Sequence, residues 1–154
     1  MDDWGTTERI KAEILLGDGA HLFGELFVQG RVPHHDGPET LVEMLNRPEP
    51  FTAVALTGGG VVFLPKAQIA LIAADEPPPP DDGGLRLSTV KLVGLELEML
   101  GGKVLTGLVS VELPPTHARP IDFLNEAGAF FSLATHSATW VVHRAFLRGA
   151  RPAD

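Results

Sequence analysis

The 154-residue chain contains no cysteine and no tyrosine, and it has 12 basic side chains against 20 acidic ones. The absence of cysteine excludes disulfides, thiolate metal sites and a cysteine nucleophile. A net charge of −8 disfavours a phosphate-backbone binder, because nucleic-acid affinity depends mainly on Lys and Arg side chains. Because we find neither a signal peptide nor an apolar run of membrane-spanning length, we expect a cytoplasmic protein of bacterial type.

A proline-rich stretch near the middle separates the chain into two parts. Residues 75–86 include four consecutive prolines, Pro77 to Pro80, which fit neither a helix interior nor a paired strand. The same short patterns occur in the same order on both sides, which indicates an internal duplication. We therefore divide the chain into a first repeat (1–74), a linker (75–86) and a second repeat (87–154).

Three patterns are shared by the two repeats. They are a Leu-x-Gly-x-apolar-x-Val strand after a Gly-containing turn, a Leu-Asn-x4-Phe element, and a short apolar run that ends in a basic residue. The matched segments are 22–28 with 105–111, 45–51 with 124–130, and, with one residue skipped, 61–66 with 140–144. Three patterns in one order favour duplication over coincidence.

Apolar residues alternate, or form short β-rich runs bounded by Gly, which predicts about five strands in each repeat. The predicted strands lie near 9–16, 21–29, 51–57, 61–65, 68–73, 88–99, 103–113, 129–135, 138–143 and 145–148. Helices are predicted only at 38–46, where Thr40 or Asp36 lies near the start, and at 119–125. Asn46 and Asn125 would then close these helices, because Asn tolerates the left-handed conformation found there.

Five short strands can bury one face by curling into a small barrel. We therefore expect an all-β protein with short helical insertions, built as two tandem five-stranded small barrels related by internal duplication. Gly24 and Gly107 would let the second strand of each barrel bend. In the first repeat Leu22, Leu26 and Val28 would line the barrel. Phe23 and Phe27 would then point outward and need cover from the other repeat or another subunit.

Residues 10–28 and 61–72 resemble the two signature segments of the Sm-like small β-barrels, which share their bent-strand architecture with SH3-like barrels. The first segment has a strand, a Gly turn and a Gly-containing second strand, and the second has an apolar run followed by Ile69 and Ile72. The resemblance implies a pair of Sm-like barrels. It also implies assembly through the edge strands of neighbouring barrels.

RNA binding by this family depends on residues that the chain lacks. RNA-binding members carry Arg-Gly or Lys-Gly between the last two strands, where this chain has Pro65-Lys66 and His143-Arg144. They also present Asp and Asn on a short loop, which here is a longer insertion. The Arg148-Gly149 pair falls too late in the alignment. These departures disfavour RNA binding by this chain.

The two repeats differ in charge. Residues 1–76 hold 5 basic and 12 acidic side chains, and residues 77–154 hold 7 and 8. Arg144, Arg148 and Arg151 gather near the C-terminal strand, so complementary ends favour head-to-tail association. We expect self-association, or binding to another protein, through edge strands and the apolar patch at Phe23 and Phe27.

Residues suited to catalysis or metal binding do not form a recognisable set. We interpret His34-His35-Asp36 as a loop without metal, Thr135-His136-Ser137 as a polar hairpin turn, and Gly58-Gly59-Gly60 as a flexible hairpin turn. We therefore predict a non-enzymatic interaction or assembly module with no catalytic residue, metal or cofactor. The alternative is RNA or nucleotide binding through loop residues, namely Asn46, Lys66, Asn125, His143 and Arg144.

Overall fold

A computed structural model of the chain describes residues 7–33, 37–75, 91–111 and 119–153. These residues form one ten-stranded antiparallel sheet with two short helices, which confirms the all-β class with short helical insertions. The elements are β1 (Thr7–Leu16), β2 (His21–Gln29), α1 (Leu41–Leu45), β3 (Phe51–Leu56), β4 (Val61–Pro65), β5 (Ile69–Ala74), β6 (Lys91–Met99), β7 (Val104–Val111), α2 (Pro120–Glu126), β8 (Phe130–Ala134), β9 (Thr139–His143) and β10 (Leu147–Pro152). A single 3₁₀ turn precedes β5, at Lys66–Gln68, and another precedes β10, at Arg144–Phe146.

The strand order of the sheet is β10-β6-β7-β8-β9-β5-β1-β2-β3-β4. The first half of the chain (β1 to β5) and the second half (β6 to β10) therefore arrange their strands in the same order. The halves meet where β5 pairs with β9, with Leu71 opposite Val142 and Ala74 opposite Thr139. This arrangement leaves β4 and β10 as the two edge strands of the sheet.

The apolar core forms two clusters, one mainly in each half. The cluster of the first half contains Ile14, Leu26 and Ile72, and Phe130 and Val141 of the second half complete it. The other cluster likewise includes Ala70 and Leu71 of the first half. The halves therefore share apolar side chains across the β5 to β9 contact.

Gly24 and Gly107 lie where β2 and β7 closely approach the next strand. A Cβ on Gly24 would be 2.4 Å from the carbonyl oxygen of Ala55, and a Cβ on Gly107 would be 2.5 Å from that of Ala134. Since backbone atoms cannot retreat as a flexible side chain can, only glycine allows this approach. The same constraint acts at the matched position of both halves.

The two predicted hairpin turns are confirmed. The amide of Leu56 donates to the carbonyl of Gly60 over 2.9 Å, and Gly59 and Gly60 have φ values of 104° and 88°. At the second turn, the amide of Thr135 donates to the carbonyl of Ala138 over 2.9 Å. The Gly-rich and hydroxyl-rich segments therefore act as strand connections.

Three sequence expectations about element ends are wrong. The last strand runs from Leu147 to Pro152 and not over 145–148, because the 3₁₀ turn occupies the residues before it. Asn46 follows α1 in a right-handed conformation, with φ of −86°, and not in a left-handed one. Asn125 lies within α2, which ends at the Ala127 cap.

The first helix begins at a cap that the sequence suggested. The Thr40 hydroxyl accepts a hydrogen bond from the amide of Glu43 over 3.2 Å, and the Glu43 carboxylate accepts one from the amide of Thr40 over 2.8 Å. This reciprocal capping box fixes the start of α1 at the residue after Thr40. Leu41, Met44 and Leu45 then face the core.

Most of the predicted linker and the His34-His35-Asp36 segment lie outside the described residues. In the part of the chain that is described, neither helix has the length and apolar character needed to cross a membrane.

Candidate functional site

Apolar side chains are exposed along the β4 edge of the sheet. Phe51, Val61 and Phe63 are 55%, 59% and 70% exposed, and we call these three residues the β4 patch. Ala53 pairs with Phe63 and Ala55 pairs with Val61, so residues 51, 53 and 55 share a sheet face with 61 and 63. The patch is therefore one surface along the outermost hairpin.

The backbone of β4 also faces the open edge. Leu56 donates to the carbonyl of Gly60, and the amide of Lys66 donates to that of Pro50, so the even-numbered residues between them direct their peptide groups toward β3. Because alternate residues of a strand point to opposite sides, Phe63 directs its amide and carbonyl outward. This edge therefore offers backbone donors and acceptors beside apolar side chains.

The other edge, β10, is more polar than β4. Its amide pattern is fixed by Ala153, which donates to the carbonyl of Gly94 over 3.0 Å. Ala150 and Pro152 therefore direct their backbone groups away from β6. Pro152 lacks an amide hydrogen, so Ala150 supplies the donor at the centre of this edge.

The contact between the halves includes a hydrogen-bonded bridge at Asn46. The Asn46 side-chain amide donates to the carbonyl of Phe130 over 3.0 Å, and its oxygen accepts from the amide of Phe130 over 2.9 Å. Gly128 leaves room for the Asn46 side chain, because a Cβ on Gly128 would lie 2.9 Å from the Asn46 Nδ2 atom. The Asn of the first Leu-Asn-x4-Phe element therefore serves to join the two halves.

His143 strengthens the same contact from the other side. Its Nδ1 lies 2.8 Å from the carbonyl oxygen of Ile69, so this nitrogen carries the hydrogen and donates. The buried imidazole stacks on Phe130, with ring centroids 4.3 Å apart, and meets the edge of Phe146 at 5.2 Å. Two aromatic rings and a main-chain carbonyl of the fold thus contact this imidazole.

Lys66 and Arg144 occupy matched positions at the start of the two 3₁₀ turns. The Lys66 ammonium is buried and donates to the carbonyls of Met44 and Arg47 over 2.9 and 3.2 Å. Arg144 donates to the carbonyl of Ala127. Both cations therefore bind the carbonyl oxygens at or just beyond the ends of the helices, where such groups lack partners.

The electrostatic surroundings of Lys66 lower the pKa of its ammonium. Burial is the main cause, the nearby Arg47 guanidinium adds to it, and Glu49 and Glu39 oppose it. The Glu39 carboxylate is itself buried, 2.9 Å from Nε of Arg47, and accepts from the amide of Gln29 over 3.0 Å. Lys66, Arg47 and Glu39 thus form a polar network that connects the end of α1 and the residues around it to the sheet.

We predict that Lys66→Met lowers the free energy of unfolding by about 1–2 kcal/mol, because buried carbonyls lose their donor. Urea denaturation near neutral pH measures this, and Lys11→Met at an exposed lysine is the control. Burial lowers the pKa of the Lys66 ammonium, so in the alkaline range below the usual lysine pKa the unfolded chain binds more protons than the folded chain does. The free energy of unfolding of the wild type therefore gains a contribution that rises with pH in this range. Equal stabilities for Lys66→Met and wild type would contradict the structural role.

The arginines of β10 are already paired within the chain. Nη1 of Arg148 lies 3.0 Å from the Glu98 carboxylate, and Nε of Arg151 lies 3.6 Å from that of Glu96. Both carboxylates come from β6, the strand beside β10. The basic C-terminal strand is therefore largely neutralised by its own neighbour.

The apolar patch predicted on β2 has one exposed member. Phe23 is exposed, whereas Phe27 is half-buried, with the Arg9 guanidinium 5.1 Å from its ring centroid. Arg9 also pairs with Glu25 over 3.2 Å. Phe27 thus receives its cover from a side chain of the neighbouring strand β1.

Among the residues that the structure describes, no group of three or more His, Asp and Glu side chains could hold a metal ion.

Of the five residues considered for nucleic-acid binding, Asn125 is exposed, and the other four donate or accept hydrogen bonds within the fold. The β4 patch was missed in the sequence, because the exposed Phe51 and the buried Phe130 occupy the same place in the matched Leu-Asn-x4-Phe elements. Comparison with known proteins gives no match to a family model, a curated protein or a solved structure.

Proposed function

We propose that this protein is a non-enzymatic assembly module in which β4 of one copy pairs with β10 of the next. In this proposal the halves are tandem Sm-like barrels related by duplication, in keeping with their common strand order. The contact between copies repeats the one that already joins β9 to β5 inside the chain. A heterologous contact of this kind generates closed rings or open filaments.

One observation carries the proposal: matched positions of the two halves differ sharply in exposure. Phe130 and Val141 are 3% and 0% exposed, whereas their counterparts Phe51 and Phe63 are 55% and 70% exposed. The difference arises because β9 has β5 on its far side, whereas no strand of the described residues lies on the far side of β4. An apolar edge of this kind is a template for another strand.

The register of the proposed contact follows from the internal one. Ile72 pairs with Val141 inside the chain, and the matched residues are Ala150 on β10 and Phe63 on β4. Both direct an amide and a carbonyl toward their open edge, so they can exchange two hydrogen bonds as an antiparallel pair does. Pro152 would oppose Val61 and accept one bond.

The side chains at these positions compensate in size. Inside the chain, Val141 faces Ile72, and between copies the larger Phe63 would face the smaller Ala150. Likewise, the large Trp140 faces the small Ala73 inside the chain. Between copies, the smaller Val62 would face the longer side chain of Arg151. Large residues thus oppose small ones at the proposed contact, as close packing requires.

The attraction is expected to come from apolar burial and backbone hydrogen bonds more than from charge. Arg148 and Arg151 are paired with Glu98 and Glu96 of their own chain, so they have little unpaired charge to offer a neighbour. Exposed ion pairs also contribute little and weaken with salt. Salt should therefore have a small effect on assembly.

The proposal is tested by light scattering on the purified chain at low and high salt. We expect a mass above that of one chain in both buffers, with one defined multiple for a ring and a broad distribution for a filament. A single-chain mass in both buffers overturns the proposal. Loss of the larger species only at high salt would instead indicate a charge-driven contact, which also contradicts it.

Nucleic-acid binding gains no support from the loop residues once considered for it. Asn46 and His143 join the two halves, and the buried Lys66 ammonium binds main-chain carbonyls. A ligand could recruit these groups only at the cost of contacts that stabilise the fold.

A further inference from the structure

A cleft of about 370 Å³ opens where the two halves meet, a volume within the range of small-molecule sites. We call it the junction cleft. Its walls come from both halves and are mainly apolar, with three ionisable side chains, Glu13, His21 and Lys103. Its apolar side chains include Leu15, Leu71, Met99, Leu100, Trp140 and Phe146.

The junction cleft is a consequence of side-chain size along one row of the sheet. Glu13 pairs with Ala73, and Ala73 pairs with Trp140, so a methyl group lies between two large side chains on three neighbouring strands. Phe146 of the second half packs on Gly17 of the first, where a Cβ would lie 2.5 Å from the ring. The depression is thus built by residues on paired strands and by an aromatic ring held against a glycine.

The ionisable side chains of the cleft differ in whether they have an ion-pair partner. The Glu13 carboxylate lies 2.9 Å from Nδ1 of His21 and so has a partner. The Lys103 ammonium lies 5.3 Å from the centroid of the Trp140 ring, and no described carboxylate lies within ion-pair distance of it. A negative group on a ligand would therefore find an available cation, whereas a positive group would compete with His21.

We propose that the junction cleft binds a small monocarboxylate with an aromatic or short acyl body. The body would lie against Leu71, Trp140 and Phe146, and the carboxylate would accept hydrogen bonds from Lys103. Lys103 already lies beside the indole, so its ammonium and the apolar wall can contact one small ligand together. This site is separate from β4 and β10, and it does not depend on the assembly proposed above.

The chain offers a direct optical test. It has two tryptophans and no tyrosine, so a Trp4→Phe protein reports almost entirely on Trp140. We expect 3-phenylpropionate to change the Trp140 emission in a saturable way. The matched probe 3-phenylpropan-1-amine, which has the same ring and the opposite charge, should change it much less.

Substitution of Lys103 separates a specific site from nonspecific adsorption. In the Trp4→Phe background, Lys103→Met should weaken 3-phenylpropionate binding by about tenfold or more, because it removes a charge-assisted hydrogen bond. Lys11→Met, at another exposed lysine, should leave the affinity unchanged. The proposal is overturned if 3-phenylpropionate gives no saturable signal up to about 10 mM, the range of very weak binding. Equal binding of the amine, or equal affinity in Lys103→Met, overturns it as well.

Discussion

If copies assemble through β4 and β10 as proposed, Phe63→Lys is expected to yield single chains. Phe63 is 70% exposed, and in the proposed register it lies at the centre of the contact, opposite Ala150 of the next copy. A lysine there must lose its water to pair, and the Ala150 side chain opposite offers it no carboxylate. Charged residues on edge strands, Lys above all, are a common means by which proteins prevent strand pairing.

The same substitution should leave the single chain nearly as stable as before. Exposed substitutions away from special features usually change the free energy of unfolding by less than about 0.5 kcal/mol. Light scattering gives the mass, and urea denaturation gives the stability. A sample of Phe63→Lys that keeps the wild-type mass would contradict pairing at β4.

Two matched variants sharpen this experiment. Leu92→Lys introduces the same charge at a side chain that is 61% exposed but lies on the interior strand β6, outside the Leu95–Met99 segment that pairs with β10, and it should assemble as the wild type does. Phe23→Lys tests the apolar patch on β2. If Phe23→Lys alone dissociates the protein, association occurs through that patch and not through the edge strands.

Gly24→Ala is expected to lower the free energy of unfolding by about 3 kcal/mol, near the upper end of the cost of overpacking. The new Cβ would lie 2.4 Å from the carbonyl oxygen of Ala55 and 2.9 Å from Cγ1 of Val54. Relief requires β2 and β3 to separate, which weakens their hydrogen bonds and opens the core beside Leu26. Chemical denaturation of Gly24→Ala and the wild type measures the loss.

Gly58→Ala is the control for this substitution. Gly58 lies in the hairpin turn after β3, and a Cβ there would meet no atom within 4 Å. Its stability should stay close to that of the wild type. Gly107→Ala should lose as much as Gly24→Ala does, since its Cβ would lie 2.5 Å from the carbonyl oxygen of Ala134. A Gly24→Ala protein as stable as Gly58→Ala would contradict the close approach.

The strands were largely predictable because their signals are local. Alternation over 21–29 and the Gly-rich turn before Val61 fix the period and the ends of neighbouring strands. The last strand was misplaced because Gly, Ala and Pro are poor strand formers, and its conformation depends on pairing with β6.

The features of the candidate site depend on contacts between residues far apart in the chain. Asn46 was expected to close a helix through its own backbone, yet its amide binds Phe130, which is 84 residues away. The charge difference between the halves pointed to Arg148 and Arg151 as contacts for a neighbour. Counting charges could not reveal that Glu98 and Glu96 lie beside them on β6.

The sequence alone does not tell which of the matched phenylalanines is exposed. Phe51 and Phe130 occupy the same place in the Leu-Asn-x4-Phe elements, and nothing local distinguishes them. One is exposed and the other buried because, in the described part of the chain, β9 has a neighbouring strand on its far side and β4 does not.

The β5 to β9 contact lies within one chain, so dilution cannot weaken it. Two strands of one chain stay at a fixed effective concentration relative to each other, whatever the protein concentration. A contact between β4 and β10 of separate copies has no tether and follows the protein concentration. For the proposed contact, dilution is therefore expected to separate copies while each chain keeps its halves paired, so protein concentration would set the size of the assembly.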